Sequence, residues 1–176
     1  MTHDQEIIKL IQQHLSPWDP NQDCTHHYEK RCEYNEMGQL TLLHLCDLGI
    51  AQLPVELWQL SSLQVLYLDS NQLSFLPPEL EQLSSLRQLF LDNNRFNILP
   101  AELWRLTSLE LLDLHNNQVS SLPPELGWLT SLEALHLHNN RLSSLPPELG
   151  QLTSLRWLSL HNNQLNILPP ELGLLT

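Results

Sequence analysis

Three histidines recur at one position of a repeated block, once in each of three successive copies. His115, His138 and His161 each belong to the block LHNN, and His136 precedes His138 by two residues. If these positions lie on neighbouring parallel strands, about 4.8 Å apart, the imidazoles form a ladder. Such a ladder has the donors that Zn, Cu or Ni take, and protonating it builds like charge, which makes it a pH-dependent surface. Duplication of the block explains the column without either role. We favour duplication, so the sequence predicts no metal and no cofactor.

Thiol and imidazole groups also lie close together near the N-terminus. They are Cys24, His26, His27 and Cys32, with Cys46 further along the chain. Zinc takes these donors, yet their spacing matches no common zinc finger, and three cysteines do not describe a disulfide framework by themselves. Metal binding, through this cluster or through the histidine column, is therefore the third of the three functions that we weigh.

A 23-residue repeat positions most of these side chains. It starts at Leu40, Leu63, Leu86, Leu109, Leu132 and Leu155, and its last copy lacks one residue. Its template is L-x-x-L-x-L-x-x-N-x-L-x-x-L-P-x-x-L-x-x-L-x-x, with Leu48 in place of the asparagine in the first copy. The L-x-L pair has the period of a strand, and the leucines after the proline suit a 3₁₀ or loosely helical turn. One copy cannot bury all these aliphatic side chains by itself, whereas a stack of copies can.

This template resembles that of the leucine-rich repeat family over residues 40–176. The resemblance implies an α/β fold, a right-handed solenoid with a curved parallel sheet on its concave face and short 3₁₀ or helical turns on its convex face. It also implies that the side chains between the strand leucines face the concave surface. We therefore take that surface as the candidate partner-binding site.

Aromatic side chains are the most informative members of that surface. Tyr67 and Phe90 occupy one column in adjacent strands and should touch, and rigid exposed aromatics contribute much contact area to binding. Scattered surface aromatics can also be without a role, and Trp157 could instead pack under the strand of a further repeat. The candidate partner-binding residues are Val65, Tyr67, Asp69, Gln88, Phe90, Asp92, Leu111, Asp113, His115, His136, His138, Trp157 and His161.

Asparagines form a further column, which we expect to be structural. An asparagine after a strand can bond its side-chain amide to backbone groups of the turn, within and between copies. The leucine at this position of the first copy predicts that the ladder begins in the second copy. The column comprises Asn71, Asn94, Asn117, Asn140 and Asn163.

Residues 1–39 precede the first repeat and are predicted to cover its apolar face. Residues 4–15 are typical of a short amphipathic helix that Thr2 or Asp4 can cap. An irregular segment follows, and a hairpin with Gly38 at its turn leads into the first repeat strand. The segment resembles the plant-type cap of extracellular repeat proteins, although that family's tryptophan between the cysteines is absent. The matching residues are Trp18, Cys24, Cys32, Gly38 and Leu40. This resemblance implies a Cys24–Cys32 disulfide.

The formal net charge of −12, with eight lysines and arginines, argues against binding to nucleic acid or to an anionic membrane surface. No apolar run reaches the length of a membrane span, and the start of the chain lacks the basic region of a secretory signal. We therefore expect a cytoplasmic protein, or a secreted or cell-surface one if a leader was removed and Cys24–Cys32 is oxidised. The last repeat has no polar cap, so we expect either a fragment of a longer protein, which we favour, or an end that a partner or a second copy covers by end-to-end association.

The sequence predicts no enzyme. With five glycines, it has no glycine loop that could cradle phosphate and no G-x-S-x-G nucleophile motif. Asp113 and His136 are expected to be neighbours, without a positioned nucleophile beside them. We expect an interaction module that binds a protein or peptide on its concave sheet. The alternative is the ligand-recognition part of a longer signalling protein, such as a kinase or GTPase with upstream repeats, and the fold alone does not identify the partner.

Overall fold

The computed structural model describes residues 2–15, 19–20 and 31–175. This part of the chain contains helix α1 (His3–His14) and seven strands: β1 (Cys32–Tyr34), β2 (Leu40–His44), β3 (Val65–Tyr67), β4 (Gln88–Phe90), β5 (Leu111–Asp113), β6 (Ala134–His136) and β7 (Trp157–Ser159). In the same residues, one 3₁₀ turn follows each strand from β2 onwards: Val55–Gln59, Pro78–Gln82, Ala101–Arg105, Pro124–Trp128, Pro147–Gln151 and Pro170–Leu174.

The strands form one sheet in chain order. β1 pairs antiparallel with β2, and each later pair is parallel with an offset of one repeat. Tyr67 therefore lies beside Phe90, and Phe90 lies beside Asp113. A parallel sheet joined through 3₁₀ turns, with a helix at its N-terminal end, confirms the predicted repeat solenoid.

Leucines from the strands and from the turns form one continuous buried core. The central residues of β3 to β6 have no exposed surface: Leu66, Leu89, Leu112 and Leu135. Turn leucines such as Leu80 and Leu126 belong to the same buried cluster, and each fully buried leucine contributes roughly 1.5–3 kcal/mol. Their equivalents in the last repeat, Leu158 and Leu172, are partly buried against the core.

Prolines set the backbone where each copy turns towards its 3₁₀ segment. The residue before every turn in the described repeats is an extended proline, with φ between −64° at Pro169 and −82° at Pro123. Proline favours this φ and removes an N–H that no strand partner needs here. Four turns also begin with a proline, which is tolerated at the first position of a helical segment: Pro78, Pro124, Pro147 and Pro170.

The turns pack against one another differently along the stack. Trp58 and Trp104 are buried in the first and third turns, whereas Gly127 and Gly150 occupy the same repeat position in the fourth and fifth. A Cβ atom at Gly150 would lie 2.5 Å from the Glu171 carbonyl oxygen. Glycine therefore permits a close approach of neighbouring turns in the C-terminal half.

Helix α1 begins with a capping box. The Thr2 hydroxyl accepts a hydrogen bond from the Gln5 N–H at 3.4 Å, and the Gln5 side chain accepts one from the Thr2 N–H at 3.0 Å. Thr2 is thus the cap, and the helix begins and ends one residue before the predicted range 4–15. Among the described residues, no helix combines the length and the apolar character that crossing a bilayer requires.

The helix and the hairpin cover the start of the sheet. Three isoleucines of α1 are buried in the core: Ile7, Ile8 and Ile11. The Asp4 carboxylate accepts a hydrogen bond from the Leu40 N–H at 2.7 Å, and the Thr2 hydroxyl donates to the Gly38 carbonyl at 3.0 Å. Gly38 has a φ of +73° at the hairpin turn, which glycine adopts without strain. These bonds fix the helix against β2.

Several residues of the cysteine hypotheses lie outside the described residues: Trp18, Cys24, His26 and His27. The Cys24–Cys32 disulfide and the zinc cluster around it therefore stay predictions. Cys32 and Cys46 are both buried. Burial raises the pKa of Cys32 to about 12, so its reduced form resists ionisation at neutral pH.

Candidate functional site

We call the sheet face turned away from the leucine core the open face. In β3, β4 and β5 the central residue is buried and its two neighbours are half-buried, as the period of two requires. The register aligns equivalent residues into columns. The first column holds Leu42, Val65, Gln88, Leu111, Ala134 and Trp157; the second holds His44, Tyr67, Phe90, Asp113, His136 and Ser159. The third column, just after the strands, holds Cys46, Asp69, Asp92, His115, His138 and His161.

Three aromatic rings stack in the second column across β2, β3 and β4. The ring centroids of His44 and Tyr67 are 4.0 Å apart with an interplanar angle of 10°, and those of Tyr67 and Phe90 are 4.3 Å apart at 3°. The predicted contact between Tyr67 and Phe90 is therefore confirmed. His44 is fully buried, whereas Tyr67 and Phe90 are half-buried. The candidate residues predicted from the sequence omitted His44, although its ring stands in the same column.

Histidines continue the open face across β5 to β7. His138 stacks between His115 and His161, with ring centroids 4.4 Å apart on each side, and His136 meets His138 edge-on at 6.5 Å. The Ser159 hydroxyl lies 3.3 Å from Nδ1 of His138 and 3.2 Å from Nδ1 of His161. Burial, followed by the neighbouring imidazoles of His115 and His161, lowers the pKa of His138. The stack therefore favours its neutral form.

Carboxylates lie between the aromatic stack and the histidines. Asp69 and Asp92 are 7% and 9% exposed, so the structure places these two candidate binding residues largely out of solvent. Nδ1 of His115 lies 2.6 Å from Asp113 Oδ1, and its Nε2 lies 3.6 Å from Asp92 Oδ2. Burial, reinforced by the charges of Asp113 and Asp69, raises the pKa of Asp92 to about 6. An imidazole is thus held between two carboxylates.

The first column supplies the remaining candidates. Val65, Gln88 and Leu111 are half-buried, whereas Trp157 is 59% exposed. Trp157 lies on β7, three strands away from Phe90 in the sheet. The structure therefore brings Tyr67 and Phe90 together but does not bring Trp157 to them.

The asparagine column lies beneath this face and is bonded to the backbone. Oδ1 of Asn94 accepts from the Leu73 N–H at 2.9 Å, and its Nδ2 donates to the carbonyls of Leu68 at 2.9 Å and Leu91 at 3.1 Å. The other members make equivalent bonds to the preceding copy: Asn71, Asn117, Asn140 and Asn163. The ladder begins in the second copy, as the sequence predicts.

A second asparagine ladder was missed by sequence reasoning. Its members are Asn93, Asn116, Asn139 and Asn162, which have φ between 52° and 55°. From Asn116 onwards, each side chain donates to the preceding member, at 2.8, 2.6 and 2.6 Å. The signal for it is the first asparagine of each N-N pair, since asparagine tolerates the left-handed region better than most residues. Asn93 also donates to Asp92 Oδ2 at 2.6 Å, which joins the ladder to the third column.

Family models match almost the whole repeat region. The family described as "Leucine rich repeat" matches residues 38–96 and 61–119, a two-copy model of leucine-rich repeats matches residues 107–151, and a single-repeat model matches residues 154–175. No curated protein sequence matches the chain.

Solved structures of repeat proteins resemble the chain over most of its length. A leucine-rich repeat protein of Leptospira interrogans is 42% identical over 76% of this chain, with a TM-score of 0.73. The Arabidopsis receptor kinase HAESA, solved with the peptide hormone IDA and a co-receptor, is 26% identical over 100% of this chain, with a TM-score of 0.82. The ectodomain of the Arabidopsis thaliana membrane receptor kinase GASSHO1/SCHENGEN3, solved with Casparian strip integrity factor 2, is 37% identical over 69% of this chain, with a TM-score of 0.63.

These proteins are all longer than this chain. The matched region spans 34% of the Leptospira chain, 32% of HAESA and 15% of the GASSHO1/SCHENGEN3 ectodomain.

Proposed function

Because this chain belongs to the leucine-rich repeat family, we propose that it binds a protein or peptide partner on the open face of its sheet. Members of this family typically serve as interaction modules rather than enzymes. The observation that carries the proposal is the stack of Tyr67 on Phe90, two large rings that keep part of their surface in solvent. Aromatic side chains held rigidly in this way are typical anchors of protein interfaces.

The remainder of the open face suits a polar partner surface around that anchor. Beyond Phe90 the columns change to carboxylates and imidazoles: Asp113, His115, His136, His138 and His161. Interfaces commonly combine an apolar centre with a polar rim that supplies hydrogen bonds and specificity. A partner that covers both parts would lie across the strands from β3 to β7.

Two of the similar proteins support this class of partner. HAESA was solved with a peptide hormone and a co-receptor, and GASSHO1/SCHENGEN3 with Casparian strip integrity factor 2. The partner of this chain is proposed by class alone, as a protein or peptide, with no nucleic acid and no membrane insertion.

Affinity capture with matched surface variants tests the proposal. The test variant is Tyr67→Ser/Phe90→Ser/Trp157→Ser, and the control is Phe75→Ser/Trp128→Ser, two aromatics outside the open face that are 52% and 53% exposed. We expect the wild type and the control to capture the same partner and the test variant to lose it. Equal capture by all three proteins would refute binding through the open face.

The second candidate function is ligand recognition within a longer signalling protein. The observation that favours it is that two of the similar structures belong to receptor kinases and exceed this chain in length. The complete reading frame tests it: a kinase or GTPase domain after Thr176 supports this candidate, and a stop codon there removes it.

Location and self-association also stay proposals. We propose a cytoplasmic location. The secreted or cell-surface alternative is supported by the likeness to a receptor ectodomain.

Apolar side chains are exposed on the last repeat: Trp157, Ile167, Leu168 and Leu174. We propose that a second copy can pack end to end against them. A sedimentation experiment that finds monomers at high protein concentration would exclude this association.

A further inference from the structure

We propose that Asp92 and His115 bind a divalent transition-metal ion on the open face, and that Asp113 orients the imidazole for that purpose. This inference goes beyond partner binding and does not depend on it. Among the described residues, a carboxylate oxygen of Asp92, a carboxylate oxygen of Asp113 and a ring nitrogen of His115 all lie within 4.8 Å of one another.

The contact with Asp113 sets the tautomer of His115. Oδ1 of Asp113 lies 2.6 Å from Nδ1 of the ring and also accepts from the His115 N–H at 3.1 Å. An ionised carboxylate only accepts hydrogen bonds, so Nδ1 carries the hydrogen and the neutral ring has its lone pair on Nε2. Histidines that bind metals commonly donate their other ring N–H to a carboxylate in this way.

The other side of the ring faces a second carboxylate at a separation that fits a shared cation. Nε2 of His115 lies 3.6 Å from Asp92 Oδ2. Two ligand atoms about 2.1 Å from a tetrahedral zinc ion lie about 3.4 Å apart, so the observed pair needs to move by only a few tenths of an ångström. Asp92 Oδ2 also accepts a hydrogen bond from Asn93 Nδ2 at 2.6 Å, which holds this oxygen beside the ring. A metal ion between Nε2 and the carboxylate would replace the repulsion of two lone pairs with attraction to a shared cation.

The position of these side chains also favours binding. The side chains of His115, Asp113 and Asp92 are 23%, 14% and 12% exposed, so an ion can enter from the open face while most of the surrounding water is excluded. The three residues stand on or directly after the neighbouring strands β4 and β5, which hold them in register. Imidazole with carboxylate oxygen suits zinc and its first-row neighbours, and the remaining coordination positions are left for water or for a partner.

The histidine ladder lacks this geometry. The rings of His115, His138 and His161 stack face to face with centroids 4.4 Å apart, so their nitrogens lie side by side instead of converging. Nδ1 of both His138 and His161 already meets the Ser159 hydroxyl. We therefore assign the ion to the Asp92–His115 pair and not to the ladder.

Titration of the chelator-treated full chain tests the proposal. Zinc chloride binding is measured by calorimetry, and the visible ligand-field absorption of Co²⁺ reports coordination independently of heat. We expect His115→Gln and Asp92→Asn each to weaken binding about tenfold or more, because each removes one ligand. We expect Asp113→Asn to weaken it about 10- to 100-fold, since the amide that replaces the carboxylate can donate to Nδ1 and move the ring hydrogen to Nε2. The Co²⁺ absorption of that variant should recover at saturating metal, which marks a positioning role.

The matched control is His161→Gln, which removes the imidazole at the end of the ladder that does not touch His115 and retains the proposed ligands. We expect this protein to bind zinc with the wild-type affinity. Three results would overturn the assignment: no binding of Zn²⁺ or Co²⁺ by the wild type, undiminished binding by His115→Gln and Asp92→Asn, or a loss in the ladder variant that equals theirs. The first would show that the pair serves the structure without a metal ion. Circular dichroism of every variant establishes that a lost signal does not come from unfolding.

Discussion

Asn94 and Phe90 stand in the same copy of the repeat, and each belongs to a column of equivalent residues that runs along the stack. Asn94 is 8% exposed, and its amide is bonded to backbone groups of its own copy and of the preceding one. Phe90 is half-buried, and its ring meets the ring of Tyr67. The same period therefore produces a column that joins the copies and a column that leaves part of its surface free.

Repetition alone does not distinguish these two kinds of column. What distinguishes them is the consequence of removing a side chain. A buried amide that is lost leaves backbone N–H and C=O groups without partners, away from water. Removing a ring from the open face leaves few polar groups without a hydrogen-bond partner, because water can reach that face. The following predictions measure that difference, beginning with the largest effect.

The first prediction concerns the buried ladder. Asn94→Ala should lower the free energy of unfolding by roughly 2–4 kcal/mol, because the Leu73 N–H and the carbonyls it serves lose their partner. Urea unfolding followed by circular dichroism measures the change. The matched control is Asn116→Gly, which removes an exposed asparagine and retains its φ of 53° without strain. A control as destabilised as Asn94→Ala would remove the distinction between the two ladders.

The second prediction uses the same residue type at a less buried position. Asn163 makes the same kind of bonds, at 3.0 Å to the Leu142 N–H and 2.9 Å to the Leu137 carbonyl, but it is only half-buried. Since water can replace some of these bonds, Asn163→Ala should lower the free energy of unfolding by roughly 1–2 kcal/mol. If both substitutions lowered the free energy of unfolding equally, burial would not determine how much each asparagine of the ladder contributes to stability.

The third prediction concerns the ring stack. A double-mutant cycle of Tyr67→Ala and Phe90→Ala should give a coupling of about 0.5–1.5 kcal/mol in the free energy of unfolding, as aromatic pairs do. The rings lie 4.3 Å apart, so both single variants lose the same contact. A coupling energy as large as the loss of unfolding free energy in Asn94→Ala would instead show that the aromatic column holds the repeats together.

The smallest effect is expected at the exposed end of the histidine ladder. His161 is exposed and touches His138 and Ser159. His161→Gln should change the free energy of unfolding by less than about 0.5 kcal/mol, as surface substitutions usually do. Thermal unfolding at neutral pH measures it. A loss as large as that of Asn163→Ala would show that the histidine ladder holds the repeats together.

Much of this arrangement follows from the sequence, because one period of the repeat equals one step across the sheet. Residues one period apart therefore lie side by side on neighbouring strands. This rule predicted the contact of Tyr67 with Phe90, the histidine stack and the asparagine ladder, all of which the structure shows. The period of two within a strand also puts Asp113 and His115 on one face, although their pairing through Nδ1 depends on the rotamer of each side chain.

Other features depend on details that the repeat pattern does not contain. Asp69 and Asp92 are buried although they stand on the open face, and the ladder from Asn93 onwards depends on a left-handed backbone conformation. Trp157 shares the open face with Phe90 but not its neighbourhood, because the order of strands separates them. Columns could be predicted from the sequence, whereas the exposure of their members could not.

The central claim is that the stacked rings of Tyr67 and Phe90 anchor the partner. The most direct test measures how tightly the captured partner binds matched variants. Calorimetric titration compares the wild type, Tyr67→Ser/Phe90→Ser and the control Phe75→Ser/Trp128→Ser. Removing both rings of the stack should weaken binding by roughly 2 kcal/mol or more, about thirtyfold in Kd, while the control retains the wild-type Kd. A partner that binds Tyr67→Ser/Phe90→Ser as tightly as the wild type would contradict the account.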